Sequence, residues 1–165
     1  MLVFIIGPSG AGKSFLLDRV KPLLPGVAFV DLDTEEDKAI KDMEASQIRG
    51  WDGRWERGTE ILRRLEVKAN VGNPVVVDVG AGSLQTDAAF RYFRDRLANI
   101  ILVTADKQVL CKRRDRTLDD LLLNEFTEHH IDLHASIEQV IDNSSEDYRE
   151  AQERLLNQIA SLLGR

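Results

Sequence analysis

A single cysteine, Cys111, stands among 165 residues, so no disulfide can close within the chain, and such sparing use suits a reducing cytoplasm. No apolar run approaches the length needed to span a bilayer. The apolar opening, Leu2 to Ile6, has no basic leader and breaks at once into glycine and proline, so it is not expected to act as a secretory signal. An excess of positive charge is missing too. With 22 Lys and Arg against 28 Asp and Glu the net charge is −6, which argues against general attraction to nucleic acid or to an anionic membrane. Any anionic ligand must then be held by a local positive site. There is no internal repeat, low-complexity tract or interdomain linker. What remains, 43% hydrophobic and 30% charged, is the balance of a folded globular chain, and the length suits one domain, residues 1–165, with a substantial core. A cytoplasmic monomer with neither a nucleic-acid nor a membrane partner is expected.

Short runs rich in β-branched residues recur at Leu2–Ile6, Val27–Asp31, Val75–Val79 and Ile100–Val103, with a weaker fifth at Ile137–Asp142. Nearly continuous Val, Ile and Leu without alternation describes strands buried on both faces. Helical patterns lie between them. Phe15, Leu16, Val20 and Leu23 share one face, and Pro25-Gly26 ends that helix. Thr34 with Asp37 predicts the cap of a second helix running towards Arg49, and Gly50 to Gly53 predicts its break. Trp55, Leu62, Leu65 and Ala69 form a further stripe, Asp106 to Arg114 reads as helix, and Ser144 with Asp147 predicts the cap of a last one. Strands alternating with helices imply an α/β architecture, a parallel sheet covered on both faces.

The chemistry starts where the first strand ends. Gly7-Pro8-Ser9-Gly10-Ala11-Gly12-Lys13-Ser14 fits G-x-x-x-x-G-K-[ST] in full, after a buried strand and at the start of a helix. Glycines let successive N–H groups turn inwards on a polyphosphate, and the helix adds its positive end. Gly7, Ser9, Gly10, Ala11, Gly12, Lys13, Ser14 and Phe15 are therefore the expected ATP contacts, with Lys13 bridging the β- and γ-phosphates and Ser14 supplying a hydroxyl to Mg²⁺. In open α/β sheets ligands gather at the carboxyl ends of strands. The second strand ends in Asp31-Leu32-Asp33, which alternation would aim to one side: one carboxylate for the Mg²⁺ shell, the other for an acceptor hydroxyl. The third ends in Asp78-Val79-Gly80-Ala81-Gly82, where Asp78 follows an apolar run as a Walker B acid does, so Asp31 and Asp78 are both candidate metal supports.

Together these pieces resemble the shikimate kinase family over most of the chain, in the family's order and close to its spacing. Phe29 to Glu35 (FVDLDTE) is similar to the strand with paired aspartates, and Arg57 with Glu60 falls where a substrate-binding arginine precedes a glutamate. Gly80-Ala81-Gly82 stands in for a triple glycine, and Arg116-Thr117-Leu118 resembles the Arg-Pro-Leu of the mobile lid. The resemblance implies a three-layer P-loop kinase fold with a five-stranded parallel sheet, an acceptor-binding region about residues 33–65 and a lid about 112–126. It further implies phosphoryl transfer from ATP with Mg²⁺ to a hydroxyl of a small-molecule acceptor, shikimate first. Lys13, Asp33 and Arg116 would be catalytic, Asp33 as base or orienter and Arg116 on the transferred phosphate. Arg57 would grip a substrate carboxylate, and Gly80, Ala81 and Gly82 would line the acceptor site.

Ala81, Thr117 and the segment after the lid depart from the family. His130 stands about where a second carboxylate-binding arginine is looked for, and Leu133-His134 where a Leu-Tyr pair is. A neutral imidazole offers no guanidinium fork, and losing one charged hydrogen-bond partner weakens carboxylate binding by about 1.5–3 kcal/mol. A kinase of another acceptor, such as a sugar acid, is thus a rival, as is a nucleotide-binding regulatory module without turnover. His130 and His134 near Glu125 form no complete zinc motif and read as solvated helix residues. The Lys112 to Arg116 cluster reads as a nucleotide-facing or solvated helix end, with Arg113 or Arg114 able to stack on adenine. Trp51 and Trp55 suit either an apolar wall beside the acceptor or core packing, and Cys111 suits packing.

Overall fold

The computed structural model describes residues 1–41 and 50–165. Strands β1 (Leu2–Ile6), β2 (Ala28–Asp31), β3 (Val75–Asp78), β4 (Ile100–Thr104) and β5 (Val140–Asp142) form one sheet in the order β2-β3-β1-β4-β5, every pair parallel. Successive side chains on a strand point to opposite faces. In β1, Leu2, Phe4 and Ile6 feed one core while Val3 and Ile5 feed the other, and the neighbouring strands divide the same way. The continuous apolar runs therefore reflect a sheet covered twice, as a parallel sheet requires.

Helices α1 (Lys13–Val20), α2 (Leu32–Ile40), α3 (Gly50–Asn70), α4 (Asp87–Arg94), α5 (Lys107–Arg114), α6 (Leu118–Glu125), α7 (Glu128–Ser136) and α8 (Arg149–Leu162) supply the two covers. Leu62 and Leu65 of α3, Ala89 and Phe93 of α4 and Leu133 of α7 close the face of Phe4. Leu16 and Val20 of α1, Leu110 of α5, Leu121 of α6 and Leu155 and Ile159 of α8 close the face of Ile5. Three layers result. Among the described residues no helix is long and apolar enough to cross a membrane.

Several boundaries differ from the sequence expectation. The cap of α2 is Asp31, whose Oδ1 accepts the Thr34 N–H at 2.8 Å, and not Thr34. The expected run of that helix towards Arg49 lies outside the described residues beyond position 41. Gly50 and Gly53 do not break a helix but stand in the first turn of α3. The apolar stripe behind them overrides their weak propensity. Ile137 belongs to no strand; it caps α7 and is buried in the core, so β5 is shorter than expected. Ser144 does not cap α8. Its hydroxyl accepts the Asp106 N–H at 2.8 Å, while Asp147 accepts the Arg149 N–H at 3.1 Å.

Trp55 is a core residue, its ring 5.5 Å from Tyr92 and 5.8 Å from Phe93; the side chain of Trp51 lies outside the described residues. Phe4 joins this aromatic group from β1, edge-on to Phe93 at 5.3 Å and to Tyr92 at 6.1 Å. Phe4→Ala is expected to lower the unfolding free energy by about 3–5 kcal/mol, read from urea denaturation.

Candidate functional site

The carboxyl ends of β1, β2 and β3 converge because these strands are neighbours, with Ile5 and Asp31 both in register with Asp78. A cleft of about 590 Å³ opens there, lined by the glycine loop, Asp31, Asp33, Arg54, Asp78, Gly80, Gln85, Arg114 and Glu125 among others. Gly12 enters α1 with φ of 87°, a left-handed conformation that glycine adopts without strain. The loop is tied from outside. Asn143 after β5 donates Nδ2–H to the Ala11 carbonyl at 2.8 Å, and Arg113 donates to the carbonyls of Asn143 at 2.8 Å and Gly10 at 3.3 Å.

Lys13 points inwards, its Nζ donating to the Gly7 carbonyl at 2.8 Å. Burial lowers its pKa, opposed by the charges of Asp78, Glu125, Asp33 and Asp31. Ser14 Oγ donates to Asp78 Oδ2 at 2.8 Å, while Asp78 Oδ1 is buried with no hydrogen-bond partner. Burial raises the Asp78 pKa against the pull of Lys13 and Ser14, with Asp31 and Asp33 adding to the rise. A hydroxyl beside a carboxylate with an orphaned oxygen is a donor set that a hard divalent cation completes. Asp31 also borders the cleft, although one of its oxygens is spent on capping α2.

Asp33, in the first turn of α2, lays its carboxylate against the backbone of Gly80, where any Cβ would overlap it. Gly80 leads into a single 3-10 turn, Ala81–Leu84, so Gly80, Ala81 and Gly82 all face the cleft. Arg57 does not. It is half-exposed, with Nη1 3.5 Å from Glu60 Oε2 on the next turn of α3. The arginine of α3 on the cleft wall, among the described residues, is Arg54, one turn earlier. Its Nε–H donates to Glu36 Oε2 at 2.7 Å, and Nη2 reaches Asp37 Oδ1 at 2.9 Å and the Asp33 carbonyl at 3.4 Å. Glu36 is fully buried, and burial pushes its carboxyl up to about 7 against the pull of Arg54. Because that value is raised from 4.5, Glu36 favours the folded state below pH 4.5 and loses this contribution as pH rises through about 7.

His130 is neither solvated nor on the cleft wall. It is buried behind Ala81, with Nε2 3.2 Å from the Ala81 carbonyl and Nδ1 2.7 Å from Thr127 Oγ1. A carbonyl only accepts, so Nε2 carries the proton and Nδ1 receives the threonine hydroxyl. Burial lowers its pKa and keeps it neutral. His134 is pushed down to about 4 by burial, and its Nε2 is buried without a partner. Among the described residues no group of three or more His, Cys, Asp or Glu side chains is placed to hold a metal ion.

Arg116 is on the glycine loop. It donates to the Ser9 carbonyl at 2.8 Å and pairs with Glu125, whose other oxygen accepts the Ser9 N–H. Arg114 borders the cleft at Gly10; Arg113 borders a separate hollow of about 290 Å³ with Phe15, Asn143 and Tyr148. Sequence reasoning missed Arg54, Glu36, Gln85, Asn124 and Glu125. Only Arg54 carried a signal, its place beside the apolar stripe of α3. Asn143→Ala would leave the Ala11 carbonyl unpaired in the interior and is expected to cost about 1–2 kcal/mol of unfolding free energy in urea.

No protein-family model matches the sequence, and no curated relative does. Solved structures do. A shikimate kinase from Bacteroides thetaiotaomicron is 19% identical with a TM-score of 0.69, covering 100% of this chain and 99% of that one. A shikimate kinase from Aquifex aeolicus is 21% identical with a TM-score of 0.69, covering 100% of each chain. A gluconokinase from Sinorhizobium meliloti is 17% identical with a TM-score of 0.53, covering 98% of this chain and 93% of that one. The chain therefore has the three-layer α/β fold of the shikimate kinases and related P-loop sugar kinases.

Proposed function

We propose that the protein is a phosphotransferase that moves the γ-phosphoryl group of ATP, with Mg²⁺, to a hydroxyl of a small polyhydroxylated metabolite. The observation that carries this reading is one cleft bounded both by the glycine loop with Lys13 and Ser14–Asp78 and by an opposing wall of Asp33, Arg54 and Gly80. A nucleotide-binding module has no use for that second wall. In this reading the acceptor region is about residues 33–65, the lid about 112–126, and both belong to one domain.

The loop amides, the start of α1 and Lys13 bind the phosphates; Ser14 and Asp78, with Asp31 at the rim, hold the Mg²⁺ shell. Bound Mg·ATP supplies the phosphoryl group and neutralises charge that develops on it. Asp33 accepts a hydrogen bond from the acceptor hydroxyl, aligns its oxygen and takes its proton as the new P–O bond forms. Gly80 lets Asp33 approach, and His130 fixes the turn that follows through the Ala81 carbonyl. Arg116 reaches the transferred phosphate once its hold on Ser9 is exchanged for it. Arg113, Phe15 and Tyr148 offer a cationic and aromatic hollow for the base. Shikimate is the acceptor that the sequence puts first; the gluconokinase and sugar kinase among the structural neighbours widen the field.

The test follows ADP release with Mg·ATP across a panel of hydroxylated acceptors. Acceptor-stimulated release is expected, and no stimulation by any member would overturn the reading. Lys13→Ala should abolish transfer. Asp33→Asn should lower kcat by about a hundredfold or more and leave ATP affinity, measured by calorimetry, nearly unchanged. Glu125→Gln removes an anion that competes for the Ser9 amide, so ATP should bind about tenfold more tightly, about 1.4 kcal/mol.

A further inference from the structure

We propose that the acceptor carries no carboxylate and is a neutral polyol or an amino-polyol, since Arg54, the cation that faces it among the described residues, is already neutralised by Glu36 and Asp37. This rests on the transferase reading and narrows its acceptor.

Among the described residues three cations border the cleft: Lys13, Arg54 and Arg114. Lys13 is turned onto the Gly7 carbonyl and Arg114 packs at Gly10, both at the phosphate end. Arg54 alone, among the described residues lining the cleft, stands with Asp33 and Gly80 at the other. An arginine grips a carboxylate by presenting two parallel N–H groups and an uncompensated charge. Arg54 has little of either to give. Three of its five N–H groups are directed at Glu36, Asp37 and the Asp33 carbonyl, and Asp33 Oδ1 lies 3.9 Å from Nη2. At most the Nη1 pair remains, and it can donate to hydroxyl oxygens.

Glu36 is a built part of this wall. Its side chain is 1% exposed, and Oε1 packs so closely on Gly58 of α3 that any Cβ there would overlap it. Among the described residues the cleft is also lined by Asp31, Gln85 and Asn124, while Glu125 is held at the phosphate end by Ser9 and Arg116. The acids repel an acceptor carboxylate, whereas the acids and amides all suit hydroxyl or ammonium partners. Behind Ala81, His130 contributes no positive charge, because burial keeps it neutral and both ring nitrogens are engaged. Among the described residues, a sugar acid would thus meet side chains whose fixed charge is negative.

The experiment uses three acceptors with one carbon skeleton, D-gluconate, D-glucitol and D-glucamine, which differ at one end by carboxylate, hydroxymethyl and aminomethyl. A second pair is shikimate and its hydroxymethyl counterpart. With Mg·ATP and the full chain at about pH 8, where Glu36 is ionised, kcat/KM for the better of glucitol and glucamine should exceed that for gluconate by about tenfold or more, and their order tells the neutral class from the cationic one. Preference for the carboxylated member in either set would overturn the inference. Glu36→Gln keeps the volume and the hydrogen bond to Nε while deleting the charge, so it should raise the gluconate-to-glucitol ratio. The unmodified protein provides the same readout without a variant. Glu36, faced by Arg54 from α3 and by Asp33 and Asp37 on α2, takes up a proton near pH 7, so the ratio should climb between about pH 8 and about pH 6. A ratio moved by neither change would overturn the role given to Glu36. If no acceptor stimulates ADP release while calorimetry still detects Mg·ATP binding, the transferase reading itself fails and this inference falls with it.

Discussion

A buried ammonium needs counter-charge whether or not its ligand is bound, and the position of Lys13 imposes that need on the whole cleft. It is buried at the first position of α1, where helix and loop hold its backbone, and burial depresses its pKa. Four carboxylates from four segments answer it: Asp78 at the end of β3, Glu125 at the end of α6, Asp33 in α2 and Asp31 at the end of β2. They also repel one another, which adds to the rise that burial imposes on the Asp78 pKa against the lysine and serine that stabilise its charged form. A triphosphate entering alone would meet this acidic ring. Entering with a divalent cation, it brings the charge that Ser14 and the orphaned Asp78 oxygen are placed to share.

The convergence of these groups follows from the order of the strands. β1 lies at the centre of the sheet, between β3 and β4, so the loop that leaves it opens beside Asp78 on one side and beside the β4 end on the other. β2 follows β3 outwards and carries Asp31 and then Asp33 to the same rim. On the far side β5 delivers Asn143 to the Ala11 carbonyl. Each contact spans a long stretch of chain, yet each side chain sits within a few residues of a strand end. Burial of both faces fixes the strands, and the strands fix the rim.

What could be read from the sequence was what local rules govern. The glycine loop was legible because its geometry needs certain residue types at fixed spacing, and four strands were legible because double burial forces continuous apolar runs. The fifth was blurred: Ile137 looks like strand but packs in the core from the end of α7. Asp31 and Asp33 do share a rim, but not by strand alternation, because the helix starts between them. The arginine was displaced by one turn. Counting at 3.6 residues per turn, Arg57 lies about 125° from the centre of the stripe of Trp55, Leu62, Leu65 and Ala69, and Arg54 only about 65°. Family spacing pointed to the first; the helix turns the second to the wall. Glu36 gave no warning, since burial of a lone acid in a polar-looking helix depends on a partner from another element.

The contacts of Arg116 and Glu125 show how one exchange can serve two ends. Glu125 and Arg116 together occupy both the N–H and the carbonyl of Ser9, so the loop that is read as a phosphate cradle already holds a carboxylate. A phosphate that takes the Ser9 amide must displace Glu125, and in doing so it strips Arg116 of its ion-pair partner. The guanidinium is then left beside a new anion, with its buried Nε already lacking a hydrogen-bond acceptor. Near Lys13 one negative group replaces another, so the counter-charge that the buried ammonium requires is kept throughout. In the reading proposed above, arrival of the nucleotide and release of the arginine that reaches for it are one electrostatic event.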